Sequence, residues 1–182
     1  MASSGGQKEI QLVCPAEDNF ETFIFGNSLE CDAVVPMGDA EGKTVAICGA
    51  GPSLERDLDR LAEADEVWGV NSAAVWLYDH GHPITHAITV DQNPQTIQEW
   101  ASAPPLKYLL ASTVHPHLTK WLKRHNRPTE FFHSYVGIKK PPVIVKEEDG
   151  TETLMSYEDW VYLTLYPGTV RTGHGLNSTT RA

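Results

Sequence analysis

At 182 residues, with 41% hydrophobic and 21% charged residues, the chain has the length and composition of one globular domain, which excludes a disordered or fibrous protein. Its formal charge of -10, from 24 acidic residues against 14 Lys and Arg, offers no basic stripe to a nucleic-acid backbone, so DNA and RNA are excluded as main partners. No basic-then-apolar leader opens the chain and no run nears the ~18 apolar residues of a membrane span, so the sequence reads as cytoplasmic with no membrane partner.

Residues 1–42 mix short apolar runs such as Phe23-Ile24-Phe25 with polar breaks and read as an N-terminal arm or lead-in. From Lys43 the pattern alternates apolar strands with amphipathic helices, which predicts an α/β, Rossmann-like, doubly wound and mostly parallel sheet over 43–182. The first strand is Thr44–Cys48, and Leu54, Leu58 and Leu61 then recur at helical spacing as far as Ala64. Further strands are predicted at Glu66–Val70, Thr85–Val90, Lys107–Ala111 and Glu130–His133, with helices at Ala73–His80, Pro94–Ala101 and Pro116–His125 between them. Residues 139–160 break the rhythm, and Glu147-Glu148-Asp149-Gly150 predicts the turn of an inserted β-hairpin flap.

Ligands of an open parallel sheet sit beyond the carboxyl ends of its strands. The first such loop, Gly49-Ala50-Gly51-Pro52-Ser53, is predicted to hold a phosphate: its glycines tolerate positive φ and keep side chains away, and Pro52 suits the first helical turn. Backbone donors and the helix dipole would then face the anion; the bland reading is a tight strand-to-helix turn. Leu54 stands where Gly-x-Gly-x-x-Gly needs its last glycine, and Asn71 where a ribose-binding acid belongs, so NAD is disfavoured; no Gly-Lys-Ser/Thr follows, which excludes a Walker P-loop.

Asn71 closes the second strand and reads both as a ligand contact and as a helix N-cap. Asp91, at the end of the third, suits Mg²⁺ shared with phosphates, or a turn before Asn93-Pro94. Among the histidines, His115, His133 and His174 lie near the carboxyl edge of the sheet as general-base candidates, each with a surface or core role as the plainer alternative, and none has helical zinc spacing. Cys14, Cys31 and Cys48 form no C-x-x-C pair and read as reduced thiols, Cys48 as a core residue. Near the end, Gly173, Asn177 and Ser178 belong to a second glycine- and hydroxyl-rich loop that could contact phosphate or sugar, or fray. Only Thr180, Arg181 and Ala182 follow its helix-starting residues, so the chain reads as a fragment or degenerate copy of a longer domain, with an exposed sheet edge or face inviting self-association.

The run Val45-Ala46-Ile47-Cys48-Gly49-Ala50-Gly51-Pro52-Ser53-Leu54, then Asn71, then Val90-Asp91-Gln92-Asn93-Pro94, resembles the MptE-like domain shared by archaeal 6-hydroxymethylpterin diphosphokinase and the motility-associated-factor glycosyltransferases of flagellin. The Gly-x-Gly-Pro-Ser-Leu segment is also similar to that of bacterial sialyltransferases with a CMP-linked donor. The likeness covers roughly Lys43 to Asn93 and the final glycine-rich loop, and leaves the flap unmatched. It implies transfer from a nucleotide donor, of pyrophosphate from ATP or of a sugar from a nucleotide-sugar, to a hydroxyl. Gly49, Gly51 and Ser53 would hold donor phosphates, Asn71 would contact the donor, and Asp91 would bind metal or ribose. Such domains continue past the final loop into a helix and more strands. A non-catalytic nucleotide-binding module, or a structural domain that keeps only the turn, are the competing expectations.

Overall fold

The structure, a computed structural model, describes residues 19–36, 38, 41–102 and 104–172. It opens with α1 (Asn19–Ser28), after which the five predicted apolar runs appear as β1 (Val45–Cys48), β2 (Glu66–Val70), β3 (His86–Thr89), β4 (Lys107–Ala111) and β5 (Thr129–Ser134). Each pairs in parallel with the next. All of His86–Thr89 and four of the five β4 residues are buried, so these central strands read as unbroken apolar runs rather than alternating ones. The flap is a two-stranded antiparallel hairpin, β6 (Val143–Lys146) with β7 (Glu152–Met155), turning through Gly150 at φ 86°. A short β8 (Arg171–Thr172) completes a six-stranded parallel sheet in the order β1-β2-β3-β4-β5-β8.

The α/β, Rossmann-like and mostly parallel architecture predicted above, with its separate hairpin, is therefore the observed one. The described strands follow chain order with no reversal among them. The glycine loop consequently follows an edge strand, and Ile47 of β1 is 36% exposed.

Helices fill the crossovers, although two are shorter than the spacing predicts. In place of one helix from Leu54 to Ala64, α2 (Ser53–Arg56) makes a single turn and Leu58–Glu63 winds as a 3-10 helix. Asp57 leaves helical dihedrals (φ -105°, ψ 12°), and the tighter winding aligns side chains three apart, so Leu58 and Leu61 share the face packed on Cys48 and Val67. The next helices are α3 (Ser72–Asp79) and α4 (Thr96–Glu99), the latter one turn where Pro94–Ala101 was expected. Longer and amphipathic, α5 (Pro116–Arg124) buries Leu118 and Leu122 one turn apart, starts with Pro116, and ends on Lys123 and Arg124, which suit the negative end of its dipole.

Two features escape the sequence pattern. The segment after the hairpin forms α6 (Tyr157–Leu165), capped by Ser156, whose hydroxyl accepts the Asp159 N–H. Residues 33–36 of the lead-in thread between β5 and β8: Val35 donates to Phe131, and Val170 donates back to Val35. With Ile24 fully buried in the main core, α1 and this segment pack on the domain body. Among the described residues no helix is long and apolar enough to cross a membrane.

Candidate functional site

The loop after β1 departs from its predicted geometry in one instructive way. Neither Gly49 nor Gly51 adopts positive φ. A Cβ at Gly51 would meet no heavy atom nearer than Ser53 Oγ at 4.0 Å, so neither backbone conformation nor packing demands glycine there. The remaining reason for a glycine is access to the backbone from outside. Pro52 already has helical dihedrals (φ -61°, ψ -18°), and Leu54 donates to Gly51, closing the turn that launches α2. With α2 limited to four residues, little helix dipole is available; any anion here would rest on loop amides and the Ser53 hydroxyl.

Gly69, in β2, shows the opposite logic. A Cβ there would lie 2.4 Å from Ala74 Cα, so glycine is required for α3 to pack directly on its own strand. That close packing forces the sharp turn at Asn71, whose φ of 50° and ψ of -126° are unusual for a residue with a side chain and store strain of about 1–3 kcal/mol. The main chain at Asn71 is fully used: its N–H donates to Ile88, and its carbonyl accepts from Ala74 and from the Trp100 indole at 2.9 Å. Its side chain is not. Although Asn71 occupies the N-cap position of α3 it makes no capping bond, and its Oδ1 is buried with no hydrogen-bond partner. A strained backbone carrying an orphan polar atom at a strand end is a feature that structural roles alone do not explain.

Asp91 lies two residues beyond β3. Its N–H donates to Thr89 Oγ1 and its Oδ1 accepts the Asn93 N–H, both at 2.9 Å, so the turn role is realised for one of its oxygens. Burial, helped by the negative charge of Asp91, pushes the Glu99 carboxyl above its ordinary range, which places two acids in electrostatic reach of each other. Among the described residues, no three His, Cys, Asp or Glu side chains gather to hold a metal ion.

Between the loop and α3 lies a cleft of about 410 Å³, whose walls include Ala50, Gly51 and Pro52 on one side and Ser72, Ala73 and Trp76 on the other. A second cleft of similar volume runs along the open edge of β1, from Thr44 to Gly49, facing Leu54 and Arg60. The predicted loop thus sits between two clefts. Asn71 directly precedes the α3 wall, whereas Asp91 borders neither cleft. Gly173, Asn177 and Ser178, along with Cys14 and His174, lie outside the described residues. Sequence reasoning missed Glu55, Ser72, Ala73 and Trp76; the placement of Trp76 one turn from Ser72 and Ala73 on α3 was the available signal.

No described histidine borders the cleft. His115 caps α5, accepting the His117 N–H, and burial together with His117 lowers its pKa. His133 is fully buried between Ser112 Oγ, 2.7 Å from Nδ1, and Glu158 Oε1, 3.3 Å from Nε2. Glu158 further accepts the amide N–H groups of Val136, Gly137 and Ile138. Burial pushes its carboxyl up, but the bonds from His133 and the amides outweigh that and hold it below the usual range. The Cys48 thiol is pushed up by burial, in keeping with a core residue rather than a nucleophile.

No protein-family profile and no curated protein matches the chain. Among solved structures it is similar to the MAf glycosyltransferase from Magnetospirillum magneticum AMB-1, with a TM-score of 0.50 and 9% identity. The likeness covers 87% of this chain and 36% of that one, so the chain spans about a third of its neighbour's length. At that identity the relationship is distant and one of fold alone; the neighbour is, by its name, a glycosyltransferase.

Proposed function

We propose that the chain is a nucleotide-donor-dependent transferase domain, binding the donor's phosphate at Gly49–Ser53 and passing a sugar from a nucleotide-sugar to a hydroxyl acceptor. The observation that carries the reading is Gly51, a glycine that neither dihedral nor packing requires, in a loop at the carboxyl edge of a parallel sheet beside an open cleft. Its fold likeness to a protein named as a glycosyltransferase supports transfer as the reaction class. The acceptor oxygen would bond to the anomeric carbon as the donor phosphate departs with the bonding pair, the hydroxyl proton passing to the departing phosphate. Loop amides and the Ser53 hydroxyl would stabilise the charge gathering on that phosphate. Mg²⁺ would fit at Asp91 only in partnership with phosphate oxygens, since the described residues gather too few ligands of their own. Pyrophosphoryl transfer from ATP would draw on the same loop.

A non-catalytic nucleotide-binding module is the second reading, favoured by the engagement of both His133 nitrogens and by the lack of any histidine among the described residues of the cleft. Calorimetric titration of native chain and Gly51→Val with CMP-sugars, UDP-sugars and ATP, with and without Mg²⁺, tests donor binding. The expected result is binding that Gly51→Val abolishes while its melting temperature holds; equal affinity in both proteins overturns the assignment. Hydrolysis of a bound donor separates the two readings.

A further inference from the structure

Resting on the reading of the loop as a phosphate site, we infer that the cleft between α2 and α3 receives the planar base of the donor nucleotide against Trp76, with the phosphates pointing away from Glu55 toward the glycine loop. The cleft's volume of about 410 Å³ falls within the range of small-molecule sites. Trp76 lies one helical turn from Ser72 and Ala73, so the three present one surface: a large aromatic wall above two small residues. The indole is held in place before any ligand arrives, with the rings of His80 and His82 at 4.4 and 5.5 Å and near-parallel to it. His80 Nδ1 also contacts the Trp76 carbonyl at 2.8 Å. A wall already fixed by its neighbours loses little freedom when a ring packs on it.

Charge sets the direction of the ligand. Glu55 lines the cleft, and no Lys or Arg does so among the described residues. A phosphate inside would meet a carboxylate without an offsetting cation, in a chain of net charge -10. An uncharged base meets no such repulsion, and its amino and ring N–H groups are donors that Glu55, an acceptor only, can receive. The anionic end then falls to the loop, where Gly51 leaves the backbone open.

The test is equilibrium binding of nucleoside monophosphates (AMP, CMP, GMP, UMP) and of ribose 5-phosphate, which carries the phosphate without the base. Native chain is expected to hold at least one monophosphate more than about tenfold tighter than ribose 5-phosphate. Trp76→Ala should weaken that monophosphate by on the order of tenfold to a hundredfold and leave ribose 5-phosphate unchanged, whereas Trp76→Phe keeps most of the affinity. Ser72→Leu, at an exposed position of the cleft wall, narrows the cleft and spares the indole, and should reproduce the loss should Trp76→Ala melt early. Undiminished monophosphate binding in Trp76→Ala and Ser72→Leu, with binding lost in Gly51→Val, places the base elsewhere and overturns this inference while the loop assignment stands. Unchanged binding in Gly51→Val overturns the loop assignment and the base placement together.

Discussion

The two halves of the sheet's carboxyl edge are built on opposite principles. Around β4, β5 and α6, Ser112, His133 and Glu158 are buried and paired, and Asn27 ties α1 to the same region by donating to the Ser112 and Val114 carbonyls and accepting from Thr119. The Thr113 hydroxyl, beside this network, is its exception. Around β1 to β3, by contrast, the structure leaves Asn71 Oδ1 and Thr96 Oγ1 unpaired, holds Asn71 in a strained turn and keeps open space at Gly51. A saturated network stabilises; an unsaturated, strained one is kept at some expense of stability, which is the mark of a surface that awaits a partner group. The engaged half therefore anchors the fold, and the open half is the one that carries the proposed site.

The largest effect that would sharpen this contrast is expected at Glu158. Glu158→Ala strands three amide donors and His133 in the interior, a loss of about 3–5 kcal/mol by analogy with broken buried pairs. For a chain of this size that lowers Tm by roughly 10 °C, read by thermal denaturation. Because the folded carboxyl titrates below its unfolded value of about 4.3, its stabilisation is complete above that pH and is lost as pH falls through the lower folded value. Glu158→Gln should therefore blunt the acid limb of a stability-versus-pH curve; an identical limb in both proteins would show that Glu158 does not carry it.

The glycines come next. Gly69→Ala drives a methyl against the Ala74 backbone and should destabilise by about 1–3 kcal/mol, whereas Gly51→Ala, in open space, should change stability by less than about 1 kcal/mol yet weaken nucleotide binding. Similar melting temperatures for the two variants would erase the distinction. At Asn71, glycine relieves the strained dihedrals and removes the orphan oxygen, so Asn71→Gly is expected to stabilise the fold by about 1 kcal/mol while lowering ligand affinity. A destabilised Asn71→Gly would mean the side chain serves the fold. The smallest effect belongs to Asp91→Asn, which keeps an oxygen for the Asn93 N–H and should leave Tm unchanged. Its diagnostic is donor binding in Mg²⁺ against EDTA: equal affinity in both, for native chain and variant alike, assigns Asp91 to the turn alone.

The strands were legible because a strand buried on both faces needs a short continuous apolar run, and the runs around Ala87-Ile88 and Tyr108-Leu109-Leu110 are set off by breaks at Pro83 and Asn93-Pro94 and at Pro104-Pro105 and Pro116. The glycine loop was legible because Gly frees and Pro fixes the local dihedrals whatever surrounds them. Less was visible of β8, which at two residues carries no apolar period of its own, and α6, although opened by Ser156 and Asp159, lies inside the break in the strand–helix rhythm; both pack on surfaces offered by His133, Phe131 and Val35. Trp76 and Glu55 could not be joined to the loop, since nothing in the order of residues says that α2 and α3 enclose a cleft.

By itself, then, the sequence determined an α/β chain with parallel strands, a hairpin flap, and a candidate loop at Gly49–Ser53 followed by Asn71 and Asp91. Those outcomes depend on local dihedral preference and on the period of apolar residues, which are properties of short segments. The tertiary structure alone decided the rest: that β1 lies at an edge, that Glu158 closes a ring of donors from β5, that Asn71 is strained, and that Gly51 faces open space. Each of these depends on which surfaces distant segments bring together, and adjacency across a sheet is set by packing the whole core, for which no single stretch of residues carries the information.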